Sequence, residues 1–334
     1  MTLTISQVVD VAGVERWQGV EEQSVPVDHP GLLADPLEEA VSLFSDLRRA
    51  ERVVMFVAHD GDEVVGNAMA EFPLLDNLEN AMVHLTVAPE KRGRGIGRTL
   101  ANHLLDVVRA EGRTRAMGFV ASPMDTEGPG LALAVSLGAT RANENFRREL
   151  HLRHLDDATL AALAHDHVGT HADGYRVVTW VDRAPNELVD GAARLMARMS
   201  TDAPQGDSAW EPEAWDAARY REGEADVGRK RRRRFVAGAV EVATGELVAY
   251  TDIGVSTIRP LIAYQWDTVV DPAHRGHRLG LAIKVENLRR LRRESPESSR
   301  VETWNAASNT FMVAVNDALD FRPVERTTHW QLDL

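Results

Sequence analysis

Hydrophobic and polar residues alternate from Met82 to Val87, and this pattern predicts a β-strand with one apolar face. A glycine-containing turn follows the strand. Beyond the turn, apolar residues recur at helical spacing from Ile96 to Val107, which predicts an amphipathic helix. The segment is therefore expected to form a strand, a tight turn and a helix in that order.

The same periodicity predicts an alternating order of strands and helices through the first half of the chain. Strands are expected at Leu3–Val9, Val53–Ala58, Glu63–Glu71, Met82–Val87, Ala116–Ala121 and Arg147–Leu152. Helices are expected at Val14–Glu22, Pro36–Arg49, Ile96–Ala110 and Leu131–Leu137. The second half repeats this order from Tyr175 to Leu334, with an inserted stretch at Thr201–Gly228. A short helix is expected within the intervening segment, at Leu160–Leu163.

The turn between the predicted strand and helix has the composition of an anion site. It reads Arg92-Gly93-Arg94-Gly95-Ile96-Gly97. A strand that runs through such a turn into a helix directs backbone N–H groups and the positive end of the helix dipole at one point. Gly95 and Gly97 allow a ligand to approach the backbone without a Cβ in the way. The turn is therefore predicted to bind phosphate.

A second copy of the turn occurs in the other half of the chain. Val270 to Gly280 aligns with Val87 to Gly97 at one constant offset, and the hairpins upstream of both turns align as well. A repeat of this length indicates a duplicated domain rather than a solenoid. Of the three glycines in the first turn the second copy keeps two, and Arg278 replaces Gly95.

The first turn resembles the acyl-CoA signature of the GCN5-related N-acetyltransferase (GNAT) superfamily, because Arg92, Gly95 and Gly97 fill its three fixed positions. The duplication resembles tandem members of that superfamily, of the mycothiol synthase type. The resemblance implies an α+β fold of two tandem domains, each with a mixed, mostly antiparallel twisted sheet flanked by helices. It places an N-terminal domain at residues 1–155, a linker at 156–173 and a C-terminal domain at 174–334.

The resemblance also implies acetyl-CoA as co-substrate and backbone amides that hold its pyrophosphate. In the first half the implied cofactor-binding residues are Val87, Arg92, Gly93, Arg94, Gly95, Ile96, Gly97 and Arg98. In the second half they are Val270, Arg275, Gly276, His277, Leu279, Gly280 and Asn305. Acetyl transfer to an amine needs positioning and proton handling, and no metal is expected.

Composition narrows the class of protein. The 334 residues are 44% hydrophobic and 27% charged, which is typical of a globular protein and sufficient for two domains. No apolar run reaches the length of a membrane span, and no basic and apolar leader begins the chain, so a cytoplasmic protein is expected. The absence of cysteine excludes disulfides, thiolate zinc sites and a cysteine acyl-enzyme.

Charge bears on the expected partners. The formal net charge of −13 argues against a general nucleic-acid-binding protein. The basic run at residues 229–234 is interpreted as a solvated loop balanced by acidic residues upstream, although a nucleic acid, the phosphates of CoA or an acidic substrate are alternatives for it. No nucleic acid or membrane partner is expected, and the chain is expected to be a monomer or a homodimer.

Two polar residues on the strands before the turns are candidates for a general base. His84 and Asp267 occupy corresponding positions in the two halves, where members of the superfamily often carry such a base. Histidine has a suitable ordinary pKa, whereas aspartate would need its pKa raised by burial or would orient a cationic amine. A buried structural histidine and a structural carboxylate are the alternatives.

The superfamily's other landmark is a helix that carries an asparagine and a tyrosine, the latter an acid for the departing thiolate. In the second half Asn309 falls on the asparagine position and Asn316 on the tyrosine position, so both are candidate catalytic residues. Neither half has the tyrosine. An asparagine cannot donate a net proton, so water or the product ammonium would supply it.

Three functions fit this reading. The first is an acetyl-CoA-dependent N-acetyltransferase for a small primary amine, such as an amino sugar, an amino acid derivative or an antibiotic-like metabolite. The second is a non-catalytic acyl-CoA sensor, and the third is a protein or peptide N-acetyltransferase. The pattern favours CoA binding in the first half and, by analogy with mycothiol synthase, catalysis in the second.

Overall fold

The computed structural model describes residues 2–45, 49–202 and 204–334. Within these ranges the strands are β1 (Leu3–Gln7), β2 (Glu51–Asp60), β3 (Glu63–Pro73), β4 (Asn80–Val87), β5 (Arg115–Pro123), β6 (Thr140–His151), β7 (Tyr175–Val181), β8 (Arg232–Glu241), β9 (Leu247–Ser256), β10 (Ile262–Val270), β11 (Arg300–Ala306) and β12 (Arg322–Asp333). The α-helices are α1 (Val11–Asp28), α2 (Leu37–Ser45), α3 (Ile96–Ala110), α4 (Gly130–Ser136), α5 (Asp157–Ala162), α6 (Val189–Asp202), α7 (Ala217–Arg229), α8 (Leu279–Glu294) and α9 (Thr310–Ala318). The fold is therefore the expected mixture of α and β.

The chain forms two compact units. The first comprises Met1–Asn145, Gln205–Glu211 and Glu325–Leu334. Its strands lie in the order β1-β2-β3-β4-β5-β12. The pairs are antiparallel except for β4 and β5, which are parallel.

Helices cover both faces of the first sheet. On one face α3 packs through Leu100 and Leu104 against Phe72 and other buried residues of the sheet. On the opposite face α1 packs through Val14 and Trp17. Burial of one such aliphatic side chain contributes about 1.5–3 kcal/mol. The two apolar faces therefore fix which side chains of β4 point toward α3 and which toward α1.

Helix α1 is held in place at its start and in its middle. The Asp10 carboxylate accepts a hydrogen bond from the Gly13 N–H at 2.7 Å and caps the helix. Farther along, the Trp17 indole N–H donates to the Ala68 carbonyl of β3 at 3.2 Å. These contacts fix the register of α1 over β3 and β4, and so the position of Glu21 one turn later.

The second unit comprises Phe146–Pro204 and Pro212–Val324. Its strands lie in the order β6-β11-β10-β9-β8-β7, and β10 and β11 are parallel, as β4 and β5 are in the first unit. Its main core is formed by α8 with Phe235, Val301, Phe321 and neighbouring residues. The two units thus repeat one fold.

The later parts of strands β6 and β12 each pack in one unit of the structure, whereas the sequence repeat assigns each of them to the other half of the chain. The repeat assigns the end of β6 to the N-terminal half, but residues from Phe146 onward pack within the second unit. Conversely, Glu325–Asp333 of β12 pairs with Arg115–Pro123 of β5 in the first unit. Each unit is therefore completed by a strand that the repeat assigns to the other half.

Several element bounds differ from those expected. Helix α1 runs past Glu22 to Asp28 and includes Pro26. The helix expected at Pro36–Arg49 is observed at Leu37–Ser45, and residues 46–48 lie outside the described residues. The short helix expected in the linker is confirmed as α5, and Leu160, Leu163 and Val168 of this segment are buried in the core of the second unit. No helix in the described ranges is long and apolar enough to cross a membrane.

Candidate functional site

The parallel strands β4 and β5 diverge and open a cleft in the first unit. Their pairing extends only from Asn80–Met82 to Arg115–Met117. Beyond these residues a cavity of about 580 Å³ lies between the strands. Its walls come from β4, β5, the loop before α3, and α4, with Trp330 of β12 closing one side. Such a cavity has the size of a small-molecule site.

The glycine loop at one end of the cleft presents free backbone donors. Gly93 and Gly95 adopt left-handed conformations with φ of +74° and +85°, and Gly95 is the N-cap of α3. Within the described residues, the N–H groups of residues 93–98 donate no hydrogen bond. Unpaired N–H groups at a helix N-terminus favour an anion. The loop therefore suits a diphosphate.

Hydrogen bonds of Arg92 hold this loop in place. Its guanidinium donates to both carboxylate oxygens of Asp28, at 2.7 and 2.6 Å, and to the Val87 carbonyl at 3.0 Å. A bidentate pair of this kind is geometrically specific. Because the donors of Arg92 are engaged, its side chain braces the turn between the end of β4 and the end of α1.

Other basic residues surround the loop. Lys91 donates to Glu63 at 2.6 Å, and Arg98 donates to the Ser136 hydroxyl at 2.6 Å. Arg94 is exposed, and its one hydrogen bond among the described residues is to the Glu90 carbonyl, at 3.3 Å. The positive charge adds to the helix dipole at the same end of the cleft. Residues 87 and 91–98 therefore lie together, as the sequence predicts for Val87, Arg92, Gly93, Arg94, Gly95, Ile96, Gly97 and Arg98.

His84 lies on the wall of the cleft and points to the α1 side of the sheet. Its Nε2 atom is 3.3 Å from Oε1 of Glu21 and 3.1 Å from the Thr86 hydroxyl. Glu21 also accepts a hydrogen bond from the Asn67 amide at 2.7 Å. With Nε2 turned to a carboxylate, the neutral imidazole carries its proton on Nε2 and its lone pair on Nδ1. His84 therefore has the arrangement of a general base oriented by a carboxylate.

The charges around His84 alter its pKa. Burial lowers it, but the hydrogen bond and charge of Glu21, together with the charges of Glu71 and Asp28, outweigh burial and raise the pKa above its ordinary value. Burial raises the pKa of Glu21, yet its bonds to His84, Asn67 and Thr86 prevail and lower it to about 2. Glu21 is thus a carboxylate at any pH at which His84 titrates.

The second loop keeps the conformation of the first with altered contacts. Gly276 has a φ of +88°, and Arg278 caps α8 in the left-handed region with a φ of +54°. Arg275 repeats the bracing role of Arg92, since it donates to the Val270 carbonyl at 3.2 Å and to Asp202 at 2.9 Å. The loop is therefore a structural copy even where Arg278 replaces glycine.

Side chains pack closely around the second loop. The ring of Tyr175 lies 5.1 Å from that of His277, and its hydroxyl is 3.0 Å from Nδ1 of His274. His277 Nδ1 lies 3.1 Å from the carbonyl of His171, in the segment before β7. Leu279 is buried in the core, and a Cβ on Gly280 would lie 3.7 Å from the Val270 side chain. The predicted residues Val270, Arg275, Gly276, His277, Leu279 and Gly280 are thus brought together.

Asp267 lies at an irregularity in β10 where the pairing with β9 shifts. Its backbone N–H donates to the Asp252 carboxylate at 2.9 Å, and Asp252 in turn accepts from Arg234 at 2.7 Å. Burial and the charge of Asp252 raise the pKa of Asp267 to about 7, against the opposing charge of Arg234. His84 and Asp267 lie in different units.

Arg234 also corrects the interpretation of the basic run as a solvated loop. Residues 232–234 belong to β8, and Arg234 is buried, with hydrogen bonds to Asp252 and the Tyr250 hydroxyl. A buried arginine of this kind needs a carboxylate partner, and β9 provides one. The end of the run therefore belongs to the core.

The candidate asparagines of the second unit have structural contacts. Asn309 caps α9, since its side chain accepts a hydrogen bond from the Met312 N–H. Asn316 is fully buried; its carbonyl accepts from Nζ of Lys284 at 2.9 Å, and its amide donates to Asn305. Asn305 thus lies beside Asn316 in a buried chain of hydrogen bonds that ends at Lys284.

Sequence reasoning missed Glu21, Asp28 and Trp330. The first two lie near the end of α1, far from any motif, and only the register of the helix over the sheet brings them to His84 and Arg92. Trp330 reaches the cleft because β12 pairs with β5. Within the described ranges, no group of three or more histidine, aspartate or glutamate residues is arranged to hold a metal ion.

Comparisons with known proteins agree with this architecture. Residues 20–126 match the Acetyltransferase (GNAT) family. A solved structure described as a tandem GNAT protein from the clavulanic acid biosynthesis pathway is 30% identical. The match covers 99% of this chain and 98% of that one, with a TM-score of 0.83. A comparison with curated proteins found no match.

Two more distant structures share the fold. A GCN5-related N-acetyltransferase from Sphaerobacter thermophilus is 16% identical, with a TM-score of 0.67 and coverage of 99% of this chain and 95% of that one. A glucosamine N-acetyltransferase region of a fungal multi-domain β-N-acetylglucosaminidase is 12% identical. Its TM-score is 0.69, and the match covers 99% of this chain and 38% of that one. At these identities the likeness concerns the fold alone.

Proposed function

Because the chain belongs to the GNAT acetyltransferase family as a tandem member, we propose that it is an acetyl-CoA-dependent N-acetyltransferase for a small primary amine, with its active site in the first unit. One observation carries the proposal. The cleft between β4 and β5 has the unpaired N–H groups of residues 93–98 at one end and His84 on its wall. The groups that would hold a diphosphate and accept a proton thus share one cavity.

The residues of the first unit fit the cofactor. The N–H groups of residues 93–98 would hold its diphosphate, and Lys91, Arg94 and Arg98 would offset the negative charge. The splayed edges of β4 and β5 leave backbone groups of both strands available to an extended chain. When bound, acetyl-CoA supplies an acetyl group activated as a thioester, with the CoA thiol as leaving group.

His84 would prepare the acceptor. Its Nδ1 lone pair takes one proton from the ammonium group of the acceptor, and Glu21 stabilises the imidazolium that results. The neutral amine then forms the C–N bond as the C–S bond breaks. The second amine proton is lost to the thiolate through solvent, and His84 releases its proton to water. This route needs no tyrosine acid, which neither half of the chain provides.

The surroundings of the two loops support an active site in the first unit, although the residue pattern favours catalysis in the second. The first loop faces a cavity, whereas Tyr175 and the carbonyl of His171 pack against the second loop. Asp267 has a pKa of about 7, which also suits a base, so the second unit is the other candidate for catalysis.

A pair of matched variants tests the proposal. A side chain at Gly97 or at Gly280 starts 3.6 or 3.7 Å from the valine that ends the preceding strand, so tryptophan at either position blocks only its own loop. Calorimetric titration of acetyl-CoA is expected to show binding to the wild type and to Gly280→Trp, and none to Gly97→Trp. Loss of binding in Gly280→Trp alone would contradict the assignment to the first unit.

Turnover decides between an enzyme and a sensor. Release of free CoA thiol with a panel of small primary amines is expected from the wild type and absent from Gly97→Trp. Tight binding of acetyl-CoA without turnover of any amine or peptide would instead favour the non-catalytic sensor. Turnover of peptides alone would point to a protein N-acetyltransferase.

A further inference from the structure

An exposed aromatic side chain lies inside the cleft of the first unit. Phe119 on β5 is 57% exposed although it lines the cavity. When a ligand covers an aromatic ring that is open to water, the apolar surface removed from water stabilises the complex. Neither the diphosphate loop nor the proton acceptor accounts for this ring.

Phe119 rests on a rigid partner. Its ring stacks on that of His329, with centroids 4.6 Å apart and planes at 18°, and the two residues are cross-strand partners of β5 and β12. His329 is buried, its Nε2 atom has no hydrogen-bond partner among the described residues, and burial lowers its pKa. The imidazole is therefore neutral at neutral pH, and the pair forms a fixed flat surface.

The register of the strands sets this surface opposite His84. Met82 and Met117 are the last paired residues of the parallel strands β4 and β5. His84 and Phe119 each lie two residues farther along, and side chains two residues apart share a face. Both therefore project to the α1 side of the sheet, on opposite edges of the cleft. Paired strands are about 4.8 Å apart, and these strands have diverged, so the gap is larger than that.

The two edges differ in chemistry. Beside His84 stands the Glu21 carboxylate, 3.3 Å from its Nε2 atom, and this charge favours a cation there. On the opposite edge Phe119 presents an apolar flat face. From this juxtaposition we infer that the acceptor is an arylalkylamine, whose ammonium group meets His84 while its aromatic ring stacks on Phe119. The inference rests on the proposed function, because it names the acceptor class of the same cleft.

Binding of two matched amines tests it. Benzylamine and cyclohexylmethylamine have similar size and charge but differ in the flatness of the ring. Saturation-transfer NMR with the CoA-loaded protein is expected to show benzylamine binding several-fold more tightly than cyclohexylmethylamine. Phe119→Ala should weaken benzylamine binding roughly 3- to 10-fold, the range expected for one aromatic stack. The affinities of the two amines should then be similar. Phe311→Ala is the matched control, since Phe311 is an 88% exposed phenylalanine of the second unit.

The outcomes separate the two proposals. Equal binding of benzylamine by the wild type and Phe119→Ala, or binding of neither amine by the wild type, overturns the inference. Calorimetry with acetyl-CoA is run on the same samples. If Phe119→Ala and the wild type bind acetyl-CoA alike while the amine result fails, only the acceptor class is wrong. If the wild type does not bind acetyl-CoA, the proposed function itself fails.

Discussion

Nε2 of His84 lies 3.3 Å from Oε1 of Glu21, a residue of the helix packed across the sheet. The Asn67 amide also donates to Glu21, so two side chains hold the carboxylate. The imidazole is therefore oriented by α1 as well as by Thr86 of its own strand. Any change that shifts α1 should alter the protonation of His84.

Glu21→Gln is expected to shift the pH profile of acetyl transfer. A base must be deprotonated, so kcat/KM falls below the pKa of His84, which Glu21 raises. Removal of the charge lowers that pKa, and the acid limb of the profile should move to lower pH. The plateau should fall as well, because the tautomer is no longer fixed. Stopped assays of free thiol across pH measure both effects.

His84→Ala is the control for that experiment. Loss of a general base lowers the rate by roughly 10²- to 10⁴-fold, and the acid limb due to the imidazole should disappear. Acetyl-CoA affinity should be unchanged. A Glu21→Gln profile that keeps the acid limb of the wild type would contradict the role given to this pair.

Lys284→Met is expected to stabilise the second unit. Burial lowers the pKa of Lys284 from 10.5 to about 7, so the unfolded chain binds more protons than the folded chain between these values. The unfavourable effect is complete below pH 7 and fades as the pH rises toward 10.5. The variant should gain about 2 kcal/mol at pH 7, after the loss of the bond to Asn316, and the gain should shrink steadily as the pH rises from 7 toward 10.5.

Urea unfolding of the wild type and Lys284→Met at several pH values measures that difference. Lys284→Arg keeps the charge at every pH and should be less stable than the wild type throughout. Parallel curves for wild type and Lys284→Met would show that the amine is not neutral in the folded protein.

Arg147→Met is expected to destabilise the second unit by about 1–3 kcal/mol, because it leaves the buried Glu302 carboxylate with Arg300 as its remaining partner. The two side chains are 1% and 0% exposed and 3.0 Å apart. Replacement of both by apolar residues should restore most of the stability. Arg109→Met is the matched control: its pair with Asp106 is exposed, so a change within 0.5 kcal/mol is expected. Chemical unfolding measures all three, and similar losses for Arg147→Met and Arg109→Met would contradict the argument.

Alanine at two glycines of the first unit should have opposite effects. Gly19 lies inside α1, and a Cβ there meets no atom within 4 Å, so Gly19→Ala should stabilise the helix by about 0.5–1 kcal/mol. Gly95 also has open space around it, but its φ of +85° strains any other residue, by about 1–2 kcal/mol. The midpoint temperature of thermal unfolding should therefore rise for Gly19→Ala and fall for Gly95→Ala. A fall in both would show that α1 does not tolerate the added methyl group.

Local patterns predicted the strand–turn–helix units, because alternation and helical spacing depend on neighbouring residues. They also placed His84 and the glycine loop in one site. The roles of Glu21 and Asp28 could not be predicted from the sequence, since their contacts depend on how α1 crosses the sheet. The exchange of β6 and β12 between the units was missed for a related reason: each strand pattern is the same whichever unit it joins.

That exchange has a consequence for synthesis of the chain. The second unit ends at Val324, whereas the first includes Glu325–Leu334, whose strand pairs with β5 along its length. At roughly 5–20 residues per second, β5 emerges from the ribosome ten seconds or more before its partner strand exists. Until then its edge is open to association with other strands. The cleft between β4 and β5, although built mainly from early residues, is thus completed last, and a prematurely terminated chain would lack the wall that Trp330 provides.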